Sequence, residues 1–137
     1  LPNRTHLTGQ LNSWLNDPSI GALLLAEFDW LDDIHRQFGY QVRDQTIKIM
    51  ANKLQEVLPQ SFIARISNTE FAFLVMNADT KEISHYLQLL IRLINQEMLK
   101  AGCTPNCDFA IGISERTSNV TRVELLSQAD HALQKAR

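Results

Sequence analysis

Apolar residues recur along the chain with two different spacings. Leu7, Leu11 and Leu15 are four residues apart, which is typical of one face of an α-helix. The run GALLLAEFD at 21–29 is almost continuously apolar and predicts a central strand covered by other elements. Apolar positions alternate on both sides of the polar stretch 67–70, which predicts a hairpin at 62–76. The remaining elements predicted in this way are helices at 30–38, 41–58, 80–101 and around 123–133, and a strand at 107–114.

Residues that stop helices follow several of these segments. Proline at 18 and at 59 and glycine at 39 and at 102 mark four predicted helix ends. The long helix 41–58 carries one predicted apolar stripe that would face the core. The stripe consists of Val42, Ile49, Met50, Leu54 and Val57.

The order of elements predicts an α+β fold, an α/β sandwich with a ferredoxin-like βαββαβ core. Its sheet would be central and antiparallel, with helices on one face or on both. In this topology the first and third strands lie side by side, so Glu27 and Asp29 come close to the turn at 67–70. Carboxylates that converge in this way would suit a hard cation carrying a nucleoside triphosphate.

Size and composition place these elements in one domain. The 137 residues are 45% hydrophobic and 20% charged, with a net charge of −2, so a surface built to neutralise nucleic-acid phosphates is not expected. No apolar run reaches 18 residues. Cys103 and Cys107 have the spacing C-x-x-x-C rather than C-x-x-C, and the four histidines are scattered. Two reduced cysteines and no metal site are therefore expected.

Five segments of the chain, in order, resemble the motifs of one known family. LPNR (1–4) resembles the end of its opening motif, and LLLAEFDWLDDIHRQFGYQVRD (23–44) is similar to L-L-x-D-x-D-x-F-K-x-I-N-D-x-x-G-H-x-x-G-D. ARISNTEF (64–71) stands where A-R-x-G-G-D-E-F belongs. AIGIS (110–114) and LLSQADHALQKAR (125–137) resemble the last two motifs. By these motifs the chain resembles the GGDEF domains, the diguanylate cyclases that join two GTP molecules into cyclic di-GMP. The resemblance implies one GGDEF domain over 1–137, slightly truncated at its N-terminus, with a nucleotidyl-cyclase-like fold.

The signature motif departs from the family at three of its five positions. The two glycines, which let the backbone approach GTP, are replaced by Ser67 and Asn68; asparagine tolerates the left-handed conformation, so the turn could survive. The third position, a metal-binding carboxylate in the family, is Thr69. Glu70 and Phe71 are retained, and Phe71 is expected to serve the core.

The resemblance also implies weakened metal and phosphate binding on the first strand. Glu27 replaces the first family aspartate and remains only as a vestigial ligand candidate, because magnesium demands near-ideal octahedral geometry. A solvated acid at the end of the strand is the alternative interpretation of Glu27. Asp32 stands where the family has lysine, and Asp29 and Asp33 add further negative charge nearby.

Guanine recognition and product inhibition would be altered too. His35 and Arg36 replace the family asparagine and aspartate, and Arg43 replaces a glycine. Asp44 is retained and is the one candidate nucleotide contact; its alternative role is a surface or salt-bridged acid, with Arg43 either filling the pocket or pairing with it. The inhibitory R-x-x-D motif is lost, since Leu58 and Ser61 stand at its charged positions.

These departures predict a domain without catalytic residues that regulates a neighbour in bacterial cyclic di-GMP signalling. The resemblance implies an adjacent EAL-type domain as the partner, a second copy as a further one, and no nucleic acid. It also implies a cytoplasmic domain whose parent protein is anchored in the inner membrane. No cofactor is expected, and magnesium only together with bound GTP. Two alternatives stay open: a GTP sensor without cyclase activity, and an active cyclase with an atypical signature.

Overall fold

The computed structural model describes residues 2–16, 20–58, 61–102, 109–115 and 122–136, without the side chains of Arg122 and Val123. Both cysteines and the prolines predicted to end two helices lie outside the described residues. The described elements confirm the predicted order, with bounds that shift by one or two residues. They are α1 (Arg4–Leu15), β1 (Gly21–Phe28), α2 (Trp30–Phe38), α3 (Tyr40–Val57), β2 (Ser61–Arg65), β3 (Glu70–Met76), α4 (Thr80–Lys100), β4 (Phe109–Glu115) and α5 (Arg122–Ala136).

The four strands form one antiparallel sheet in the order β2-β3-β1-β4. This is the order of a ferredoxin-like βαββαβ core, so the predicted fold class is confirmed. The first and third strands are neighbours, and Glu27 is the register partner of Glu70. The end of β1 therefore meets the start of β3 beside the turn 67–70, as the topology predicts.

Helices cover both faces of the sheet. Side chains along β1 alternate between the two faces, so they contribute to two separate cores. Leu24 and Phe28 point into the larger core with residues of α2, α3 and α4. Leu23 and Leu25 point into the smaller core with residues of α1 and α5. The run 21–29 is almost continuously apolar for this reason. None of the helices in the described parts of the chain is long and apolar enough to cross a membrane.

The predicted apolar stripe of α3 is partly wrong. Its buried residues are Ile47, Met50, Ala51 and Leu54, whereas Val42, Ile49 and Val57 are between 39% and 44% exposed. Residues in a helix turn by about 100° each, so Ile49 and Met50 cannot share one narrow face. The core uses the Met50 side of α3 and leaves a second, apolar side to solvent.

A partly buried ion pair joins α3 to α4. Lys53 Nζ lies 2.7 Å from Glu97 Oε1, and the Glu97 side chain is only 5% exposed. Lys100 lies 3.6 Å from the same oxygen. The hydrogen bond from Glu97 raises the pKa of Lys53 above its ordinary value. A buried carboxylate needs such partners, so this pair fixes the relative position of the two helices.

Candidate functional site

The turn 67–70 is closed by hydrogen bonds from its own surroundings. The Arg65 guanidinium donates to the carbonyl oxygens of Ser67 (3.2 Å) and Asn68 (3.3 Å). The Phe28 N–H donates to the Thr69 carbonyl at 2.8 Å, and the N–H groups of Ile66 and Ser67 donate to Glu70. All four carbonyl groups of the turn therefore have a protein donor.

The turn does not use the left-handed conformation that asparagine was expected to supply. Among the described residues, Asn77 is the one non-glycine residue with a positive φ. Ser67 contributes instead through its side chain, because its hydroxyl oxygen accepts a 3.1 Å hydrogen bond from the Glu70 N–H. Serine is a common turn residue for this reason. The loss of both glycines is thus accommodated by a turn that has no residue at positive φ and that the Ser67 side chain helps to hold.

Glu27 and Glu70 lie opposite each other on the face of the sheet that α1 and α5 cover. They are register partners, and alternation along β1 places Glu27 on the same face as Leu23 and Leu25. Burial raises the pKa of the Glu70 carboxyl above its ordinary value; Asp130 raises it further, whereas Arg4 lowers it. Glu70 therefore holds a proton more readily than a solvated glutamate does.

A cavity of about 330 Å³ opens beside Glu70 between α1, the hairpin and α5. We call it the α1–α5 cavity. Its polar lining is Arg4, Thr8, Glu70 and Asp130, above an apolar floor. The floor consists of Leu7, Leu25, Ile66 and Leu126.

A second cavity, of about 450 Å³, lies across the sheet beside α3, and we call it the α3 cavity. It is lined by Asp44, Ile47, Lys48, Ala51, Asn52 and Arg65. Asp44 faces a cation that the family lacks, since Arg43 Nε lies 3.4 Å from Asp44 Oδ1. Arg43 Nη1 also lies 3.1 Å from His35 Nδ1. Of the two roles open to Arg43, pairing with Asp44 is the one observed.

The two positions of the family's inhibitory motif face the interior. Leu58 is 2% exposed and Ser61 is 8% exposed. The Ser61 hydroxyl donates a 2.7 Å hydrogen bond to the Leu58 carbonyl. Neither residue presents a charged group to solvent.

The structure brings together one part of the predicted site and separates another. Glu27, Thr69 and Glu70 converge at the junction of β1 and β3. Phe71 is 1% exposed and its ring stacks on Phe28 with centroids 5.4 Å apart. Asp44 instead lines the α3 cavity on the other face of the sheet. No group of three or more histidine, cysteine or acidic side chains within the described ranges could hold a metal ion.

Three polar residues of these sites had no predicted role. Arg65 fixes the turn, while Arg4 and Asp130 line the α1–α5 cavity. Each lies inside a segment that resembles a family motif: Arg65 in ARISNTEF, Arg4 in LPNR and Asp130 in LLSQADHAL. The motifs therefore pointed to these residues. The motifs alone do not indicate that Arg4 and Asp130, which are 126 positions apart in the numbering, meet at one cavity.

Comparisons with known proteins agree with this geometry. The chain is 25% identical over 138 residues to the oxygen sensor protein DosP of Escherichia coli, covering all of this chain and 17% of that protein. It is 26% identical to the cyclic di-GMP phosphodiesterase PdeB of Shewanella oneidensis, covering 96% of this chain and 16% of that one. The chain thus spans about one sixth of the length of these relatives.

A solved structure and a family profile complete the comparison. The S helix-GGDEF-EAL structure of Vibrio cholerae LapD, bound to c-di-GMP, superposes with a TM-score of 0.82 at 24% identity, covering 98% of this chain and 31% of that one; this likeness shows the fold alone. The profile of the family described as "Diguanylate cyclase, GGDEF domain" matches residues 1–137. Together with the ferredoxin-like sheet and the hairpin at the signature position, the match over its whole length shows that this chain belongs to the GGDEF domain family.

Proposed function

We propose that this domain is a catalytically silent GGDEF domain that regulates a neighbouring domain in cyclic di-GMP signalling. The observation that carries the proposal is the turn at the signature position. Its third residue, Thr69, has no carboxylate, and its carbonyl groups are already bonded to Arg65, to Phe28 and within the turn. The turn is built as a structural connection rather than as a metal-binding loop.

The donor set at this junction does not fit a magnesium ion. Magnesium requires hard oxygen ligands in near-octahedral geometry, and family members supply two carboxylates. Here Glu27 supplies one, and Glu70 belongs to the α1–α5 cavity, where its raised pKa weakens it as a ligand. No catalytic step through a metal is derived for this chain.

We infer that the partner is an EAL-type domain in the same polypeptide. The relatives support this inference, because PdeB is a cyclic di-GMP phosphodiesterase and the LapD structure joins a GGDEF to an EAL domain. The domain would work in the cytoplasm, with the parent protein anchored in the inner membrane. Its contribution would be a folded surface that sets the activity or ligand response of its neighbour.

The decisive experiment has a chemical part and a regulatory part. Incubation with GTP and magnesium or manganese, followed by chromatography, should show no cyclic di-GMP, and Glu27→Gln should change nothing. In the parent polypeptide, deletion of residues 1–137 should alter the activity or ligand response of the neighbour, whereas Thr69→Ala should not. Steady turnover that depends on Glu27, or a neighbour unaffected by the deletion, would refute the proposal.

A second candidate, a GTP sensor without cyclase activity, is favoured by the α3 cavity. It has room for a base, and it keeps Asp44, whose family counterpart contacts guanine. The ion pair with Arg43 opposes this role, because the carboxylate that would accept hydrogen bonds from the base already has a partner. Calorimetry distinguishes the candidates: low-micromolar, magnesium-dependent GTP binding that is lost in Asp44→Ala would favour the sensor.

A further inference from the structure

Two helices and the signature hairpin supply the polar lining of the α1–α5 cavity. Arg4 and Thr8 are four residues apart on α1, so both lie on one face of that helix. Leu126 and Asp130 have the same spacing on α5. Glu70 reaches the cavity from the first position of β3. Elements that are distant in the sequence therefore place four polar side chains around one space.

The charged groups around this cavity lie close enough to affect one another. Asp130 raises the pKa of the Glu70 carboxyl, whereas Arg4 lowers it, and such effects weaken with distance. Among the described residues, no ion pair joins Arg4 to either acid. One cation and two carboxyl groups thus face the same space, and a ligand need not break an ion pair between them.

Neighbouring hydrogen bonds define which groups the lining offers to a ligand. The Thr8 hydroxyl donates a 3.1 Å hydrogen bond to the Arg4 carbonyl, so its oxygen is left to accept. Gln134 Nε2 donates to Oδ2 of Asp130 at 3.4 Å, and a carboxylate has a second oxygen for further donors. Glu70 adds a third acceptor, because a carboxyl group keeps an acceptor oxygen in either protonation state. The donor is Arg4, whose guanidinium can bind a carboxylate through two parallel hydrogen bonds.

The described floor of the cavity is aliphatic. Leu7 and Leu25 are 3% and 5% exposed and belong to the smaller core, which holds the floor in place. Ile66 and Leu126 pack against that core and are half-buried. The volume of about 330 Å³ lies at the lower end of the range of about 300–1,000 Å³ that is usual for small-molecule sites. The cavity therefore suits a small ligand with one short aliphatic group.

We propose that the α1–α5 cavity binds a free α-amino acid with a branched aliphatic side chain, such as leucine. The ammonium group of the ligand has three N–H groups, which match the three acceptors Thr8, Glu70 and Asp130. Its carboxylate accepts hydrogen bonds from Arg4, and its side chain lies on the aliphatic floor. A ligand that carries both charges satisfies the whole lining, whereas an amine alone faces the Arg4 cation and a carboxylate alone faces two acids.

The exposure of the charged lining limits the strength of binding. Arg4 and Asp130 are exposed, so the contact of each with the ligand raises the affinity at most about fivefold. Burial of the aliphatic group on the floor supplies the larger share. We expect a dissociation constant for leucine of roughly 10⁻⁴ to 10⁻³ M. A ligand at this site contacts α1, the hairpin and α5 together, so it stabilises the folded domain by mass action.

Calorimetry with four matched compounds tests the proposal. L-Leucine should bind saturably, with the affinity given above. Isoamylamine, which lacks the carboxylate, and isocaproate, which lacks the ammonium group, should each bind about three- to fivefold more weakly. Glycine, which lacks the side chain, should bind at least about tenfold more weakly. Leucine should also raise the urea midpoint of unfolding, as a ligand that binds only the folded chain does.

Substitutions in the lining separate the two charged contacts. Arg4→Gln should weaken leucine binding about three- to fivefold and leave isoamylamine binding unchanged or stronger. Asp130→Asn should weaken the binding of leucine and isoamylamine alike and leave isocaproate binding unchanged or stronger. Arg36→Gln is the matched control, because it removes another exposed arginine, which pairs with Asp33 outside the cavity. Urea midpoints measured without ligand check that the variants are folded.

Three results would overturn the proposal. They are the absence of saturable leucine binding at about 10 mM, equal affinities for leucine and isoamylamine, and leucine binding that neither Arg4→Gln nor Asp130→Asn weakens. If a variant fails to fold, the comparison of the four compounds still decides. The proposal does not rest on catalytic silence, because leucine binding requires neither GTP nor a metal ion, so either proposal can fail without the other.

Discussion

The N–H of Phe28 donates a 2.8 Å hydrogen bond to the carbonyl oxygen of Thr69. This bond extends the pairing of β1 with β3 by one step, into the turn that replaces the family signature. It fixes the backbone at the position where family members carry a metal-binding carboxylate. The fold therefore keeps the backbone framework at this position, where the side chain is that of a threonine rather than a carboxylate.

Restoring the signature residues should not restore cyclase activity. The triple variant Ser67→Gly, Asn68→Gly and Thr69→Asp regains the carboxylate and the space above the turn. It leaves Asp32 where the family has a lysine, and it leaves Arg43 paired with Asp44. Each missing interaction worth about 1.4 kcal/mol costs tenfold in rate, so turnover should stay at least about 100-fold below that of an active cyclase.

The assay for this variant is chromatographic detection of cyclic di-GMP, with an active GGDEF cyclase measured in parallel. A useful comparison is the same triple variant carrying Glu27→Gln in addition. Product formation within about tenfold of the active enzyme, abolished by the additional substitution, would mean that the signature alone limits activity.

Removing the Arg43 guanidinium should strengthen GTP binding. The wild-type chain is expected to bind GTP in the high-micromolar range or more weakly. Arg43→Ala frees the Asp44 carboxylate, and because the Asp44 side chain is 51% exposed in this ion pair, the pair is worth at most about 1 kcal/mol, so calorimetry should show an affinity up to about fivefold higher. Arg36→Ala is the control, because Arg36 pairs with Asp33 outside the α3 cavity. Equal affinities of the wild type and Arg43→Ala would show that Arg43 does not block this cavity.

The sequence was sufficient to predict the topology because each strand carries a strong signal. A nearly continuous apolar β1 and the turn 67–70 determine a βαββαβ order, and that order makes β1 and β3 neighbours. The meeting of Glu27 with Glu70 follows from the topology alone. The ring stacking of Phe28 on Phe71 follows from the same register.

Other features depend on three-dimensional packing that periodicity does not encode. Apolar residues lie on both sides of α3, so their spacing does not show which side faces the core. The predicted stripe therefore included Val42 and Val57, which the structure leaves exposed. The turn conformation depends on hydrogen bonds from the Arg65 guanidinium to two backbone carbonyl groups. Every residue carries such a carbonyl group, so the side chains of the turn do not indicate these bonds. The α1–α5 cavity joins residues near both ends of the sequence.

The glycine of β4 should be essential for the packing of α5. A Cβ added at Gly112 would lie 2.2 Å from the Leu133 nitrogen and 2.3 Å from the Ala129 carbonyl oxygen. Because both neighbours are backbone atoms, Gly112→Ala must push the helix away from the sheet, at a cost of about 2–3 kcal/mol. Urea unfolding should show this loss as a lower midpoint.

The exposed glycine of α1 provides the matched substitution. Gly9 has no atom within 4 Å of an added Cβ, and it lies inside a helix. Gly9→Ala should therefore stabilise the domain by about 0.5–1 kcal/mol, since alanine favours the helix. Similar effects of the two substitutions would contradict the close approach of α5 to β4.

Replacing the Glu70 carboxyl by an amide should stabilise the domain at neutral pH but not at acidic pH. Burial raises the pKa of Glu70 in the folded state, so the folded domain binds this proton more tightly than the unfolded chain does. The stabilisation that the folded domain gains by holding this proton is complete below the unfolded pKa of about 4.3. It is lost as the pH rises through the folded pKa. Above the folded pKa, Asp130 repels the charged Glu70 carboxylate across the α1–α5 cavity, and Arg4 offsets part of this repulsion.

Urea midpoints of the wild type and Glu70→Gln, measured at several pH values between about 4.5 and 8, test this linkage. The variant should gain on the wild type as the pH rises, because glutamine occupies the same space without a charge. A variant that is less stable than the wild type at pH 8, or a difference that shrinks with rising pH, would show that the Glu70 carboxylate is favourably held in the folded domain. In that case Arg4 would outweigh burial and Asp130, and the α1–α5 cavity would be an ion-paired site.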